Sequence, residues 1–197
     1  MDNGSSTALG ARTAGDNRPD GFAVGRSGLI ADTGLRIGTY NTAQNIQILS
    51  GGGDIFMAGQ AAPTSTIRTG VTVVSGVVDA SLGKVSIHGR LDSTAGTNYQ
   101  RGVLFGYGGS DVSILSRNSA SDAILIRGDA SMTSGGWCRG VEVYETINPD
   151  LLIANEGSGG VQIIGDGCAS TTTGGNEQDG VAPVSYTHLT LPTKRIV

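Results

Sequence analysis

Aliphatic and polar residues alternate in short bursts along this chain, and the bursts recur as a set. Gly34-Leu35-Arg36-Ile37, Gly70-Val71-Thr72-Val73, Gly102-Val103-Leu104-Phe105 and Gly140-Val141-Glu142-Val143 each open a unit with an apolar side chain at every second position. Such alternation gathers the apolar set on one face of a strand. A second burst follows in Asn45–Ser50, Asp111–Ser116 and Asp150–Asn155, and is abbreviated to Gly76–Asp79 in the second unit. A third burst closes each unit on glycine. Ile55 and Met57 precede Gly59, Val85 and Ile87 precede Gly89, Ile124 and Ile126 precede Gly128, and Val161 and Ile163 precede Gly165. Most of these inner positions are β-branched, which suits extended backbone. No stretch carries a helical period of useful length, because Gly, Ser and Thr interrupt every candidate.

The opening glycines at 34, 70, 102, 140 and 180 set a period of 32 to 40 residues. A period of that size marks a solenoid, propeller or array. About three short strands per unit, separated by turns, predict an all-β chain wound as a parallel β-helix. Each coil then lays its strands over those of the coil before, so that Val stacks on Val and Ile on Ile in a narrow core. Glycines at the strand ends are expected to supply positive φ at tight corners. Polar segments rich in Ser, Thr, Gly and Ala join the units over residues 60–69, 90–101, 129–139 and 166–179. In a solenoid such loops project from one side.

The expected organisation has three parts. Residues 1–33 form a partial, irregular preceding repeat, residues 34–182 form the array, and residues 183–197 form a disordered, non-native tail. The tail shares nothing with the repeat and reads as the translation of a transposase-type sequencing adapter, with Val197 before the adapter's stop codon. Tyr186, His188 and Lys194 are therefore set aside from any site. A coil cut near Pro183 leaves an unpaired strand edge, so fraying or aggregation is expected there.

Composition narrows the classes. Gly supplies 33 of 197 residues, yet hydrophobic residues reach 38%, which keeps the chain out of the disordered class. A net charge of −4 with scattered basic residues gives no footprint for nucleic acid. No apolar run has the length of a membrane span. Met1–Ser6 carries no basic or apolar signal segment. Cys138 and Cys168 make no CxxC, so they either bridge stacked loops or stay as two thiols.

Candidate chemistry falls in columns. Asn45, Asp111 and Asp150 each precede a second strand. Stacked oxygen ligands suit Ca²⁺, but Asx residues capping turns are the preferred reading. The calcium-binding nonapeptide GGxGxDxUx has no tandem copies here. Arg101, Arg139 and Asp179 each precede an opening glycine. They read as solvated loop charges in preference to a site for anionic polysaccharide. Trp137 with Tyr99 makes either an aromatic platform for sugar rings or an amphipathic cover over a loop base. β-Helical polysaccharide lyases and hydrolases need convergent acids, or an Arg/Lys base beside a metal, on one external face. Glu142, Glu145 and Glu156 instead crowd into one unit without equivalents in the others, and His88 points outward alone. No GxSxG or P-loop is present. The expectation is therefore no catalytic, cofactor-binding or metal-binding residue, and no enzyme.

The pattern GVxI…(I/V)xILS…GxIxIxG with Ser/Thr/Gly-rich spacers resembles the repeats of very large bacterial exoproteins, the filamentous-haemagglutinin-like and autotransporter-like adhesins. The resemblance covers residues 21–182 and is architectural, to a class and not to one family. It implies a secreted or surface-attached β-helical stalk, extracellular or at the cell surface. Its partners would be host or environmental glycans, or other surface proteins, met through the side loops. No catalytic or cofactor residue carries over, because the repeat motif has none. The alternative from another class is a fragment of a β-helical carbohydrate-active enzyme.

Overall fold

The computed structural model describes residues 22–26, 33–38, 46–61, 68–91, 99–106, 111–131, 137–144, 150–168 and 179–182. These residues form strands and turns, with no helix among them. β1 (Phe22–Arg26) precedes a coil made of β2 (Thr33–Ile37), β3 (Gln47–Leu49) and β4 (Ile55–Ala61). The next coil is β5 (Arg68–Val73), β6 (Gly76–Asp79) and β7 (Val85–Leu91). A third is β8 (Tyr99–Phe105), β9 (Val112–Ser116) and β10 (Ile124–Asp129). The fourth is β11 (Trp137–Val143), β12 (Leu151–Asn155) and β13 (Val161–Asp166), and β14 (Val181–Ala182) opens a fifth.

Equivalent strands of successive coils pair in parallel. Sheet I runs β2-β5-β8-β11-β14, sheet II runs β3-β6-β9-β12, and sheet III runs β1-β4-β7-β10-β13. The chain is thus a parallel β-helix with three strands per coil, as the repeat predicts. Its register places like on like. In sheet III, Met57, Ile87, Ile126 and Ile163 share one level line, as do Ile55, Val85, Ile124 and Val161. In sheet I the lines are Leu35-Val71-Val103-Val141 and Ile37-Val73-Phe105-Val143. In sheet II, Ile48, Val78, Ile114 and Ile153 line up. These lines meet in one apolar core, in which the residues of the middle two coils are almost entirely buried. Fully burying each such side chain contributes roughly 1.5–3 kcal/mol.

The corner from sheet II to sheet III is held by stacked turns whose polar side chains bond to the coil beneath. Ser116 Oγ donates to the Gly83 carbonyl at 2.8 Å, and Asn118 Nδ2 donates to the Leu82 carbonyl at 2.6 Å. One coil further on, Asn155 Nδ2 donates to the Asn118 carbonyl at 3.0 Å. The same amides bend their own turns, since Asn118 Oδ1 accepts from the Ala120 N–H at 2.8 Å and Asn155 Oδ1 from that of Gly157 at 3.3 Å. Asn155 is buried, and this double duty satisfies its amide.

Two features depart from the sequence reading. The strands of sheets I and III reach further than their apolar alternation. β5, β8 and β11 begin two or three residues before the opening glycine, and β4, β7 and β10 run one or two beyond the closing glycine. The connecting loops are correspondingly shorter than residues 60–69, 90–101 and 129–139. The repeat glycines also do not turn corners. The strand-end glycines that do supply positive φ, as expected, are Gly38 after β2, Gly76 opening β6 and Gly106 after β8, together with Gly51 and Gly52 between β3 and β4. The closing glycines of sheet III face the opening glycines of sheet I so closely that a Cβ would overlap backbone. A Cβ on Gly89 would strike the Gly102 carbonyl, and one on Gly128 the Gly140 carbonyl. Sheets I and III thus touch backbone to backbone along a glycine seam.

Beyond the seam lies a second, small apolar cluster of Ala61, Leu91, Ala130, Cys138 and Cys168. Cys138 and Cys168 are joined there in a disulfide, with Cα atoms 5.4 Å apart. Of the two outcomes open in the sequence, the bridge is the one realised. It links the strand that opens the fourth coil to the second residue past the strand that closes it. Most of the joining loops, with the expectation that they project from one side, lie outside the described residues. So does the tail over 183–197.

Candidate functional site

The outer face of sheet I carries the densest group of functional side chains. Its geometry follows from the glycine seam. Strand pairing skips Gly70, Gly102 and Gly140, and the alternation of side chains shifts phase across them. In β11, Cys138 is buried in the small cluster and Val141 in the main core, three positions apart. Residues at the register lines of 99/137, 101/139 and 104/142 therefore share the outer face.

Register brings Trp137 opposite Tyr99 and Arg139 opposite Arg101. The two rings lie 5.4 Å apart with planes inclined by 40°. The Arg101 guanidinium sits over the Tyr99 ring at 5.0 Å, and that of Arg139 over the Trp137 ring at 5.6 Å. Arg101 also approaches the Tyr144 ring at 5.7 Å. Both arginines donate to the carboxylate of Glu142, Arg101 through Nε and Arg139 through Nη1. Arg139 Nε lies 3.8 Å from Asp179 Oδ2.

This arrangement corrects the reading of Arg101 and Arg139 as solvated loop charges. Arg101 is 5% exposed and Glu142 is fully buried. Burying charges is tolerated only when each is paired and hydrogen-bonded. Two guanidiniums, Glu142 and Asp179 together carry no net charge, so the cluster offers no excess of positive charge to a polyanion. Glu142 is the residue whose role the sequence hides. It occupies the outward line of Arg36, Thr72 and Leu104, where polarity alone suggests solvent.

The other candidates are not brought together. Asp111 Oδ1 accepts from the Asp150 N–H of the next coil at 3.1 Å, a bond between coils and not a cap on its own turn. Asn45, the third member of that column, lies outside the described residues. Among the described residues no three His, Cys, Asp or Glu side chains are placed to hold a metal ion. Glu156 is exposed at the corner between sheets II and III, paired with Arg117 Nε at 2.8 Å. Glu145 lies outside the described residues. His88 does face outward from β7, but it is half-buried against Phe56, with ring centroids 5.3 Å apart. Its Nε2 is buried without a hydrogen-bond partner. Desolvation, and then the neighbouring Arg127 charge, push its pKa below the ordinary value of 6.5.

Fold and outer-face geometry together define a class, the parallel β-helix with laddered side chains. Set against known proteins, the chain matches no family model, no curated protein and no solved structure. No helix among the described residues is long and apolar enough to cross a membrane.

Proposed function

We propose that the chain is a structural segment of a secreted or surface-attached bacterial exoprotein, a non-catalytic rod that offers its sides to glycans or surface proteins. The observation that carries this reading is the unbroken in-register stacking of all three sheets over successive coils. Stacking of that kind transmits force along the axis through backbone hydrogen bonds and sets equivalent positions of successive coils at a fixed interval. Repeated weak contacts gain strength through multivalency. The resemblance of the repeat to adhesin-like exoproteins supports the same reading. The disulfide supports export, because such bonds persist in oxidising compartments.

A hydrolase reading requires an acid free to exchange a proton beside a bound sugar. Glu142 is sequestered between two arginines, and Glu156 stands at a different corner. Two measurements test the proposal. Purified chain incubated with a panel of neutral and acidic polysaccharides should release no reducing ends and no unsaturated products. Sustained release from any of them would overturn the non-catalytic reading. Chain recovered from its source cells with thiols blocked at lysis should carry no blocked cysteine, whereas two blocked cysteines would overturn the placement outside the cytoplasm.

A further inference from the structure

We propose that His88 is an acid-operated latch on the outer face of sheet III: on protonation its ring leaves Phe56, and the first coil loosens from the second along that face. Position is the first observation. His88 stands on the outward line Ala58-His88-Arg127-Ile164, and Phe56 stands on the neighbouring line in the coil beneath. Ala58, directly opposite His88, is small, so the imidazole has room to lean onto the Phe56 ring. The two centroids are 5.3 Å apart and the planes are inclined by 58°. This contact joins β4 to β7, and so ties the first coil to the second. The first coil is the more open of the two in sheets I and II. Leu35, Ile37 and Ile48 are only partly buried, whereas Val71, Val73 and Val78 opposite them are closed off.

The ring's own chemistry is the second observation. Nε2 is buried and has no hydrogen-bond partner. A neutral imidazole can carry its proton on Nδ1 and leave a bare lone pair at Nε2. The imidazolium carries N–H on both nitrogens, and a buried donor without an acceptor is costly, more so when charged.

The neighbours are the third observation, because they offer the cation no relief. From β4 the face receives Phe56, Ala58 and Gln60, none of them charged. From β10 Arg127 stands directly opposite, and Arg90 follows His88 on β7 itself, so positive charge lies on two sides. The oxygens nearby are engaged. Gln60 Oε1 accepts from Arg90 Nε and Nη2 at 3.1 and 2.9 Å. Asp129 Oδ1 accepts from the Ser131 N–H and Oγ at 2.9 and 2.6 Å, and Asp166 Oδ2 lies 3.7 Å from Arg127 Nη2. At the start of the face, Lys84 is paired with Asp122, and Asp54 Oδ1 accepts from the Lys84 N–H. The lowest-energy course for a protonated ring is therefore to swing into water, which uncovers Phe56. Burial, and then Arg127, hold the pKa of His88 below the ordinary 6.5. The latch is thus shut at neutral pH and opens as pH falls through the depressed value.

Proton NMR of the full chain follows the His88 ring, whose signals are identified by their loss in His88→Gln. At about pH 7.5 the Phe56 ring current should displace them, and at about pH 5 they should sit at the positions of a free imidazolium. Amide hydrogen exchange, corrected for the intrinsic effect of pH, should become severalfold faster over Ile55–Ala61 across the same interval and stay unchanged over Ile124–Asp129. In His88→Gln the protection of Ile55–Ala61 should no longer depend on pH. Arg127→Gln should move the His88 midpoint to higher pH, an effect that loss of packing alone does not produce. A ring-current displacement that survives protonation would overturn the latch. So would equal protection at the two pH values, pH-dependent protection retained in His88→Gln, or an unmoved midpoint in Arg127→Gln.

Discussion

Gly128 shows what the repeat glycines do. Its Cα hydrogen occupies the space where a side chain would meet the Gly140 carbonyl of sheet I. Gly128→Ala should therefore force the two sheets apart locally and cost about 1–3 kcal/mol, the usual range for overpacking. The shift of the denaturant midpoint measures it. His88 makes a second prediction at this scale. Its pKa is lowered in the folded chain, by desolvation first and then by Arg127. Below the ordinary value of 6.5 the unfolded chain binds the proton more readily than the folded one. The stability contribution is thus complete above that pH and declines as pH falls toward the depressed folded value. Melting temperature should drop between pH 7 and 5 by more in the parent chain than in His88→Gln, and equal drops would contradict the assignment. The glycines were plain in the sequence as punctuation, but their role was not. A turn and a close approach both select glycine, and only the distance between sheets tells them apart.

Among the elements, the strands of sheet III were the most legible. Ile124 and Ile126 alternate with Leu125 and Arg127, and the inner pair is fully buried. The strands of sheet I were read too short because Arg68, Thr69, Gln100 and Arg101 are polar, and polarity suggested loop. All four are buried. Arg68 Nε donates to Gln100 Oε1 at 2.7 Å across adjacent coils, so these side chains find their partners within the stack. Such pairing between coils separated by 32 residues leaves no trace in local pattern. The same holds for Glu142, which appeared as a stray acid and is the counter-charge for two arginines. Glu142→Gln should leave both guanidiniums buried without their carboxylate and destabilise the chain by about 3–5 kcal/mol. Calorimetry measures this, and a loss below about 1 kcal/mol would show that the arginines find equal partners elsewhere. The Tyr99–Trp137 pair was visible as two aromatics at comparable places in their units. Their exact alignment required the register.

For the whole molecule, coils stabilise one another through their faces, so each depends on its neighbours. The fourth coil is the exception in its covalent structure. The bridge between Cys138 and Cys168 spans 30 residues and encloses the complete circuit of β11, β12 and β13. Closing a loop of that size stabilises the fold by about 3–4 kcal/mol through the unfolded state. It also changes what happens under tension. When the chain is pulled from its ends, force enters at one sulfur and leaves at the other, and the circuit between them is bypassed. Oxidised chains should fall short of reduced ones by about 100 Å of final extension, the reach of 30 residues. Optical-trap unfolding with and without reductant measures this, and equal extensions would contradict it. The bridge therefore sets how far the molecule can stretch, and reduction releases a hidden reserve of length.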